Sequence, residues 1–278
     1  MKNLSNKVIR FKGEIRSLLM LLMIVGVLVY FFLETNIYFL GGIVLAGLLY
    51  VRLLQAQQIG NSLQVSEHQF PEIFSIAKEC AGILGVKRVP RVFITQDPTM
   101  NAYTMGFISP YALVLNSGLV ENLNFDELRV VIGHEMGHVK FKHSMILSLI
   151  APIGKNFAFS DLLFGFWGRK TEYTCDRCAL ICAKDDRTVL RTLIKIAAGA
   201  KIGQGVDLDK LVLQLQDAKA HRIDRLGELL VSHPYIMKRI WEIIKFSYQY
   251  NPKPCKHCGN ISTKEAQFCF SCGNQVAL

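Results

Sequence analysis

The sequence predicts an α+β protein that is mainly helical and begins with two membrane-spanning helices. Two apolar runs, Ser17 to Leu33 and Ile37 to Val51, follow a basic N-terminal segment. Most of the remaining chain carries apolar residues at helical spacing, interrupted by two short segments typical of strands. Hydrophobic residues make up 51% of the 278 residues and charged residues only 19%, which favours the membrane class.

The apolar runs predict a transmembrane helical hairpin over residues 17–54. Each run is close to the lower limit of roughly 17–25 residues that cross a bilayer as a helix. A cleaved signal peptide is the alternative, but the first run has no small-residue cleavage site and leads directly into the second. Basic residues flank the hairpin on its chain-terminal sides only: Lys2, Lys7, Arg10, Lys12, Arg16 and Arg52. The positive-inside rule then places both termini and the main domain in the cytoplasm, on a two-span protein of the cell membrane.

The net charge of +10 does not predict nucleic acid as a partner. The basic residues are scattered or lie beside apolar runs, without a basic stripe interleaved with aromatic residues. The expected partner of the N-terminal region is instead the lipid bilayer. The sequence does not predict an oligomeric state.

Four segments are expected along the chain: a basic cytosolic tail (1–16), the hairpin (17–54), a main domain (55–250) and a terminal module (253–276). The main domain opens with a polar, Gln-rich linker over residues 55–70. A helix from Phe70 is expected to end at Gly85, which suits a C-cap. The segments 89–95 and 112–116 predict strands of a small antiparallel sheet. Asn124 is expected to cap a helix beginning near Phe125.

That helix carries the motif His134-Glu135-Met136-Gly137-His138. Residues four apart share a helix face, so His134 and His138 can present their imidazoles to one zinc ion. Glu135 points to the neighbouring edge, where it can take the proton of an attacking water molecule. A surface helix with two histidines is the alternative interpretation, and Gly137 argues against it because glycine weakens an ordinary helix.

The third zinc ligand has two candidates, His143 and Glu172. His143 lacks the glycine turn of the HExxHxxGxxH pattern, which makes it the weaker candidate. Glu172 and Asp176 lie four residues apart on another predicted helix. Glu172 is expected to bind the zinc, and Asp176 to hydrogen-bond the far nitrogen of a zinc-bound histidine.

Four motifs resemble the HtpX-like membrane zinc peptidases, relatives of the CAAX prenyl proteases: NAYTMG (101–106), VVIGHEMGHVKFKH (130–143), TEYTCD (171–176) and SHPYIMKR (232–239). The resemblance implies an HExxH zincin-type, gluzincin-like domain with His134, His138 and Glu172 as ligands and Glu135 as base. It also implies that the backbone of Asn101 and Ala102 lies along the bound substrate. His233 matches a candidate transition-state hydrogen-bond donor, and a structural His-Pro turn is the alternative.

The chain departs from this family between the HExxH helix and the third ligand. Several relatives have a second transmembrane pair there, whereas residues 145–167 are interrupted by proline, glycine and charged residues. The pieces are too short to span a bilayer. A lid or an element resting on the membrane is expected instead.

The cysteines fall into two groups. Cys255, Cys258, Cys269 and Cys272 form two CxxC pairs with ten residues between them, which predicts a zinc ribbon holding a second, structural zinc ion. Cys175, Cys178 and Cys182 have helical spacing, which favours tight core positions over a redox-active CxxC. This usage suits a reducing compartment.

The leading hypothesis is a zinc metalloendopeptidase that hydrolyses membrane or misfolded proteins in membrane protein quality control, a substrate class implied by the resemblance alone. A processing peptidase for a short substrate, including a prenylated tail, is a second hypothesis. A third is a membrane adaptor, with a degenerate protease domain and a zinc ribbon that recruits partners. The complete set His134, Glu135, His138 and Glu172 argues against the third.

Overall fold

The computed structural model describes residues 5–33, 37–106, 111–146, 160–208, 210–211, 234–250, 252–254, 257, 261–263 and 272–274. Its helices, in chain order, are α1 (Asn6–Ile9), α2 (Glu14–Leu33), α3 (Ile37–Gly60), α4 (Pro71–Leu84), α5 (Ser117–Asn122), α6 (Phe125–Lys140), α7 (Ser160–Ala183), α8 (Asp186–Ala198), α9 (Ala200–Gln204) and α10 (Ile236–Tyr250). Its strands are β1 (Ser62–Gln64), β2 (Arg91–Thr95), β3 (Ala102–Met105), β4 (Ala112–Asn116), β5 (Pro252–Pro254) and β6 (Ile261–Thr263). The fold is mainly helical with small sheets, in agreement with the predicted α+β class.

The two apolar runs form α2 and α3. Helix α3 continues beyond the predicted run to Gly60, so the beginning of the Gln-rich segment is helical. Among the residues that the structure describes, no helix is long and apolar enough to cross a membrane. The transmembrane hairpin and its orientation stay predictions.

The sheet near the metal-binding motif is mixed, so the predicted antiparallel sheet is wrong. Its order is β1-β2-β4-β3, with β2 and β4 parallel and both outer pairings antiparallel. All five residues of β4 are buried, and this apolar strand takes a central place between β2 and β3. Burial of β4 accounts for its central place in the sheet, whereas the direction of its pairing with β2 is not revealed by the separate strand patterns.

The two faces of this sheet pack against different groups of residues. Val92, Ile94, Leu113 and Leu115 belong to the main core, together with residues of α4, α6 and α7. Phe93, Ala112 and Val114 form a smaller cluster on the other face, covered by Ile59, Tyr103 and Met105. Alternation along each strand therefore decides which side chains point towards the helices.

Helix α6 starts at a capping box and crosses α7 at close range. Asn124 and Glu127 exchange side-chain to backbone hydrogen bonds at its first turn, which confirms the predicted cap. A Cβ atom at Gly133 would lie 2.9 Å from Cys182 Cβ, and one at Gly137 would lie 3.0 Å from Cys175 Cα. The two glycines thus allow the backbones of α6 and α7 to approach one another. This crossing brings the motifs of the two helices together.

The N-terminal segment packs against α7 in the described part of the chain. The backbone N–H of Phe11 donates to Thr174 Oγ1 at 2.8 Å, and Arg177 donates to the Val8, Ile9 and Arg10 carbonyls at 3.3–3.4 Å. Glu14 is only 2% exposed and accepts hydrogen bonds from Thr174 and His143. Part of the segment predicted as a basic tail is therefore docked on the helix that carries Glu172.

Candidate metal centre

Helix α6 presents both motif histidines to the same side. The rings of His134 and His138 lie 5.2 Å apart between centroids, at a steep angle to one another. Both side chains are largely buried. One turn of helix separates them, which is the reason that the i and i+4 positions can serve one metal ion.

Glu172, from α7, reaches both histidines. Its Oε2 atom lies 3.5 Å from His134 Nε2, and its Oε1 atom lies 3.4 Å from His138 Nε2. Ligand atoms at about 2.0–2.2 Å from a tetrahedral zinc ion are about 3.3–3.6 Å from one another. The distance from each imidazole to the Glu172 carboxylate falls in that range.

Asp176 and Arg239 form hydrogen bonds and ion pairs with this set of side chains. Asp176 Oδ1 accepts from His134 Nδ1 at 3.0 Å. Arg239 donates to both oxygens of Asp176, through Nε at 2.9 Å and through Nη2 at 2.6 Å, and its Nη1 atom lies 3.7 Å from Glu172 Oε2. The bidentate contact fixes the carboxylate plane, and the carboxylate in turn orients the imidazole.

The electrostatics of the centre favour a bound cation. Burial lowers the pKa of His134, but hydrogen bonds to Asp176 and Glu172 outweigh burial and raise it to about 10. Burial raises the pKa of Asp176, but Arg239 and His134 outweigh it, so this pKa lies below its usual value. The carboxylate is therefore ionised, and the surroundings of the imidazole stabilise positive charge, which either a proton or a metal ion can supply.

Glu135 follows His134 directly in α6 and is 7% exposed as a whole residue. Thr104 Oγ1, on strand β3, donates to Glu135 Oε2 at 2.8 Å. Helix α6 and strand β3 pack against each other, and this contact holds the carboxylate at the edge of the centre. A carboxylate in this position can accept a proton from a water molecule near the histidines.

Two further residues, Cys175 and His143, lie close to the motif histidines. The Cys175 Sγ atom and one ligand atom of each motif histidine lie within 4.8 Å of one another, a group able to hold a metal ion. Cys175 is also packed against Gly137 between the two helices, with its Sγ atom 3.1 Å from the position of a Cβ there. His143 Nε2 lies 3.1 Å from Glu14 Oε1, and its Nδ1 atom lies 3.6 Å from Cys175 Sγ. His143 is thus buried next to His138, with a ring-centroid distance of 5.4 Å, and its two ring nitrogens are directed at Glu14 and Cys175.

The remaining predicted residues are only partly described. Asn101 immediately precedes β3, and its side chain accepts from the backbone N–H of Ala102, the first residue of that strand. His233, Cys255, Cys258 and Cys269 lie outside the described residues, as does most of the predicted zinc ribbon. Cys272 is described at a turn, without its predicted fellow ligands.

Three residues of this region were not assigned a role from the sequence: Arg239, Thr104 and Glu14. Arg239 lies in the SHPYIMKR motif, and its place in a motif that resembles the family could have indicated a role for it. Thr104 lies within NAYTMG, two residues beyond Ala102. Glu14 has one local partner, Arg10, but its contacts with His143 and Thr174 lie 129 and 160 residues away in the chain, and no local pattern predicts them.

The model of Peptidase family M48 matches residues 67–162 and 150–246. The chain is 30% identical over 230 residues to Plastoglobule-localized metallopeptidase 48, chloroplastic, of Arabidopsis thaliana, covering 74% of this chain and 65% of that protein. It is 30% identical over 196 residues to a Protease HtpX homolog of Pyrococcus furiosus, covering 64% and 67%. It is 37% identical over 95 residues to a Protease HtpX homolog of Streptococcus pyogenes, covering 34% and 31%. The chain thus spans about two thirds of the first two relatives and one third of the third.

Proposed function

The chain belongs to peptidase family M48, and on this premise we propose that it is a zinc-dependent endopeptidase. The family match confirms the resemblance to the HtpX-like peptidases and the predicted metalloprotease class. The observation that carries the proposal is the position of Glu172, within 3.5 Å of the Nε2 atoms of both histidines of an HExxH helix. Glu135 lies between those histidines in the sequence, where a proton acceptor is needed.

We assign the zinc to His134, His138 and Glu172. The distances from both imidazoles to the Glu172 carboxylate support this assignment, and three protein ligands leave a fourth position for water or substrate in a tetrahedral site. Cys175 fits less well, because its Sγ atom is packed between α6 and α7 against Gly137. Burial raises the pKa of the Cys175 thiol well above its usual value, whereas the thiolate is the ligand form of cysteine.

Different residues of the chain have different roles in the proposed hydrolysis. When bound, zinc supplies Lewis acidity, which polarises the scissile carbonyl and makes water more acidic. Glu135 takes a proton from the attacking water as the new C–O bond forms, and passes it to the amine nitrogen as the C–N bond breaks. Asp176, braced by Arg239, keeps the His134 ring oriented with its Nδ1–H bonded and its Nε2 directed at the centre. Asn101 and Ala102 are proposed to lie along the substrate, and His233 to donate to the transition state.

The decisive test is casein cleavage by the purified chain, wild type against Glu135→Gln. We expect the wild type to cleave casein, a chelator to stop cleavage, and added zinc to restore it. Glu135→Gln should lose at least about 100-fold in rate, because a positioned general base contributes about 10²–10⁴-fold. Glu121→Gln, the same change on an exposed residue of α5, is the matched control and should leave the rate unchanged. Equal cleavage by wild type and Glu135→Gln would instead support the adaptor hypothesis.

Membrane attachment through α2 and α3 is part of the proposal. Many apolar side chains of these helices are exposed, for example Met23 at 64% and Leu45 at 69%. Apolar surfaces of this kind favour a lipid or protein cover. With the domain on the cytosolic side, a cysteine introduced at Thr35 should react with an impermeant reagent outside intact cells, and the C-terminal cysteines should not. Labelling of the C-terminal cysteines from outside would reverse the orientation.

The substrate class and the terminal module complete the proposal. Membrane or misfolded proteins are the proposed substrates, on the strength of the resemblance to HtpX-like peptidases, and cleavage of unstructured casein is the first test of a broad preference. A prenylated or other short tail is the competing substrate, and it would be cleaved in preference to casein.

The four C-terminal cysteines are proposed to bind a second, structural zinc ion, because their spacing is that of a zinc ribbon.

A further inference from the structure

Strand β3 points alternate side chains to opposite faces of the sheet. Tyr103 and Met105 cover the small cluster around Phe93, whereas Ala102 packs against the main core on the helical side. Thr104 has the same parity as Ala102, so its side chain faces α6. The register confirms this regular alternation, with Ala102 opposite Leu115 and Thr104 opposite Leu113.

The Thr104 hydroxyl is directed at the side chain of Glu135. Its distance to Oε2 is 2.8 Å, and its distance to the main-chain carbonyl oxygen of Glu135 is 3.5 Å. A hydroxyl has one hydrogen to donate, and the shorter contact takes it. The bond joins two elements that are 31 residues apart in the chain, and its acceptor is a carboxylate, which makes it one of the stronger hydrogen-bond types.

We propose that Thr104 is a positioning residue for Glu135. With Oε2 held by the hydroxyl, the second oxygen, Oε1, is directed to accept the proton of the attacking water. A general base acts only within about 2.6–3.2 Å of its proton donor, so loss of one anchor reduces the fraction of molecules in which the base is correctly placed. This inference rests on the proposed function of Glu135.

Strand architecture alone does not require this hydroxyl. Valine has nearly the shape of threonine and favours strands, so it satisfies the backbone and packing demands of the position. What valine lacks is the O–H donor. The pair Thr104→Val and Thr104→Ser therefore separates the hydrogen bond from the shape of the side chain.

The experiment measures kcat and KM for a fluorogenic peptide derived from a casein site, with wild type, Thr104→Val and Thr104→Ser. We expect Thr104→Val to lower kcat roughly 10-fold with KM within about twofold, a fraction of the 10²–10⁴-fold effect of a general base. Thr104→Ser should keep most of kcat because it keeps the donor. Zinc content should match the wild type in both variants, because the zinc ligands are unchanged, whereas Thr104→Val should lower the thermal midpoint because the buried Glu135 carboxylate loses a hydrogen bond.

Thr95→Val is the matched control, since the same exchange on β2 removes a hydroxyl that accepts from Gln58. It should leave kcat unchanged. Equal losses in Thr104→Val and Thr104→Ser, or a change in KM alone, would overturn the positioning role. If the wild type is inactive, the proposed function fails. If the wild type is active, Glu135→Gln is inactive and Thr104→Val is fully active, only the present inference fails.

Discussion

At the scale of single residues, the metal centre depends on how each buried ionisable side chain is paired. Glu172 is shared by two imidazoles and lies near Arg239, and Asp176 is bound by Arg239 through both of its oxygens. His143, although only five residues beyond His138, is paired with Glu14. Helix α6 ends at Lys140 and Lys142 has a positive φ of 61°, so His143 does not continue the helix; its ring lies 5.4 Å from that of His138, while its Nε2 atom is directed at Glu14. These pairings distinguish Glu172, the proposed ligand, from the nearby His143.

The first prediction compares the two candidates for the third ligand. Glu172→Gln should abolish activity and sharply weaken binding of the catalytic zinc, because the change removes the anionic ligand. His143→Ala should keep its zinc and most of its activity, although it leaves Glu14 without one partner and so lowers stability by about 1–3 kcal/mol. The measurements are zinc content after dialysis, peptide turnover and urea unfolding. The reverse ranking of the two variants would exclude Glu172 as the third ligand.

The variant Asp176→Asn tests, in the same assays, whether the contacts of Asp176 help to hold the proposed zinc ligand His134 in place. The change keeps the shape of the side chain but weakens its interactions with both His134 and Arg239. Loss of a partner behind a metal ligand typically lowers metal affinity or activity by about 10–100-fold. We expect an effect of that size, smaller than that of Glu172→Gln. No change in either quantity would mean that the His134 ring is oriented by other groups.

At the scale of elements, the crossing of α6 and α7 places the ligands. The motif histidines lie on one helix and Glu172 on the other, so the distance between the helix axes sets the distance between the ligand atoms. Gly133 and Gly137 supply the close approach, and Cys175, Cys178 and Cys182 are all buried in α7 on the facing side. The cysteines act as small apolar residues there, as the sequence predicts.

The second prediction concerns Gly133→Ala. The added Cβ would lie 2.9 Å from Cys182 Cβ and 3.2 Å from Ala179 Cα, so the two helices must separate. We expect a loss of roughly 1–3 kcal/mol in the free energy of unfolding, the usual effect of overpacking. Zinc affinity should fall as well, because Glu172 moves with α7. Urea unfolding and zinc competition with a chelating dye measure the two effects.

Gly82→Ala is the matched control for this substitution. Gly82 lies in α4, and a Cβ atom there meets nothing within 4 Å. Alanine is the better helix former, so this change should stabilise the protein by about 0.5–1 kcal/mol. If both variants are stabilised, the close approach of α6 and α7 does not constrain the centre.

At the scale of the whole molecule, the two ends of the chain relate differently to the main domain. The N-terminal segment is bound to α7 through Phe11, Glu14 and the carbonyls near Arg10. These contacts surround Thr174, which lies between Glu172 and Asp176 in α7. At the other end, β5 and β6 form a separate two-stranded sheet beside α10.

The third prediction is that the chain binds two zinc ions at independent sites. The double variant Cys255→Ser with Cys258→Ser should lose one zinc per chain and keep most of its basal peptidase activity. The reason is that a module of about 24 residues is too small to form an apolar core, so we expect the proposed ribbon to be folded by its own metal, independently of the other site. Metal analysis by mass spectrometry and the peptide assay measure both quantities. Loss of both metals in the double variant would contradict the separation of the two sites.

The structural features that the sequence alone determined are local, because each depends on residues only a few positions apart in the chain. The i and i+4 spacing of His134 and His138, the cap at Asn124 and the end of α4 at Gly85 follow from helix geometry within a few residues. The motifs also led to the family, because they combine residue types whose chemistry is specific. Glu172 and Asp176 were found as candidates because they too share one helical turn.

Tertiary structure decided the contacts between distant parts of the chain. The pairing of Thr104 with Glu135, of Arg239 with Asp176 and of Glu14 with His143 spans 31, 63 and 129 residues. Likewise, each strand pattern by itself allows either direction, and only the assembled sheet shows that β2 pairs with β4 in parallel and β3 with β4 antiparallel. Periodicity reports the face that a residue occupies on its own element, and only the packing of elements against one another decides which residue of another element it meets.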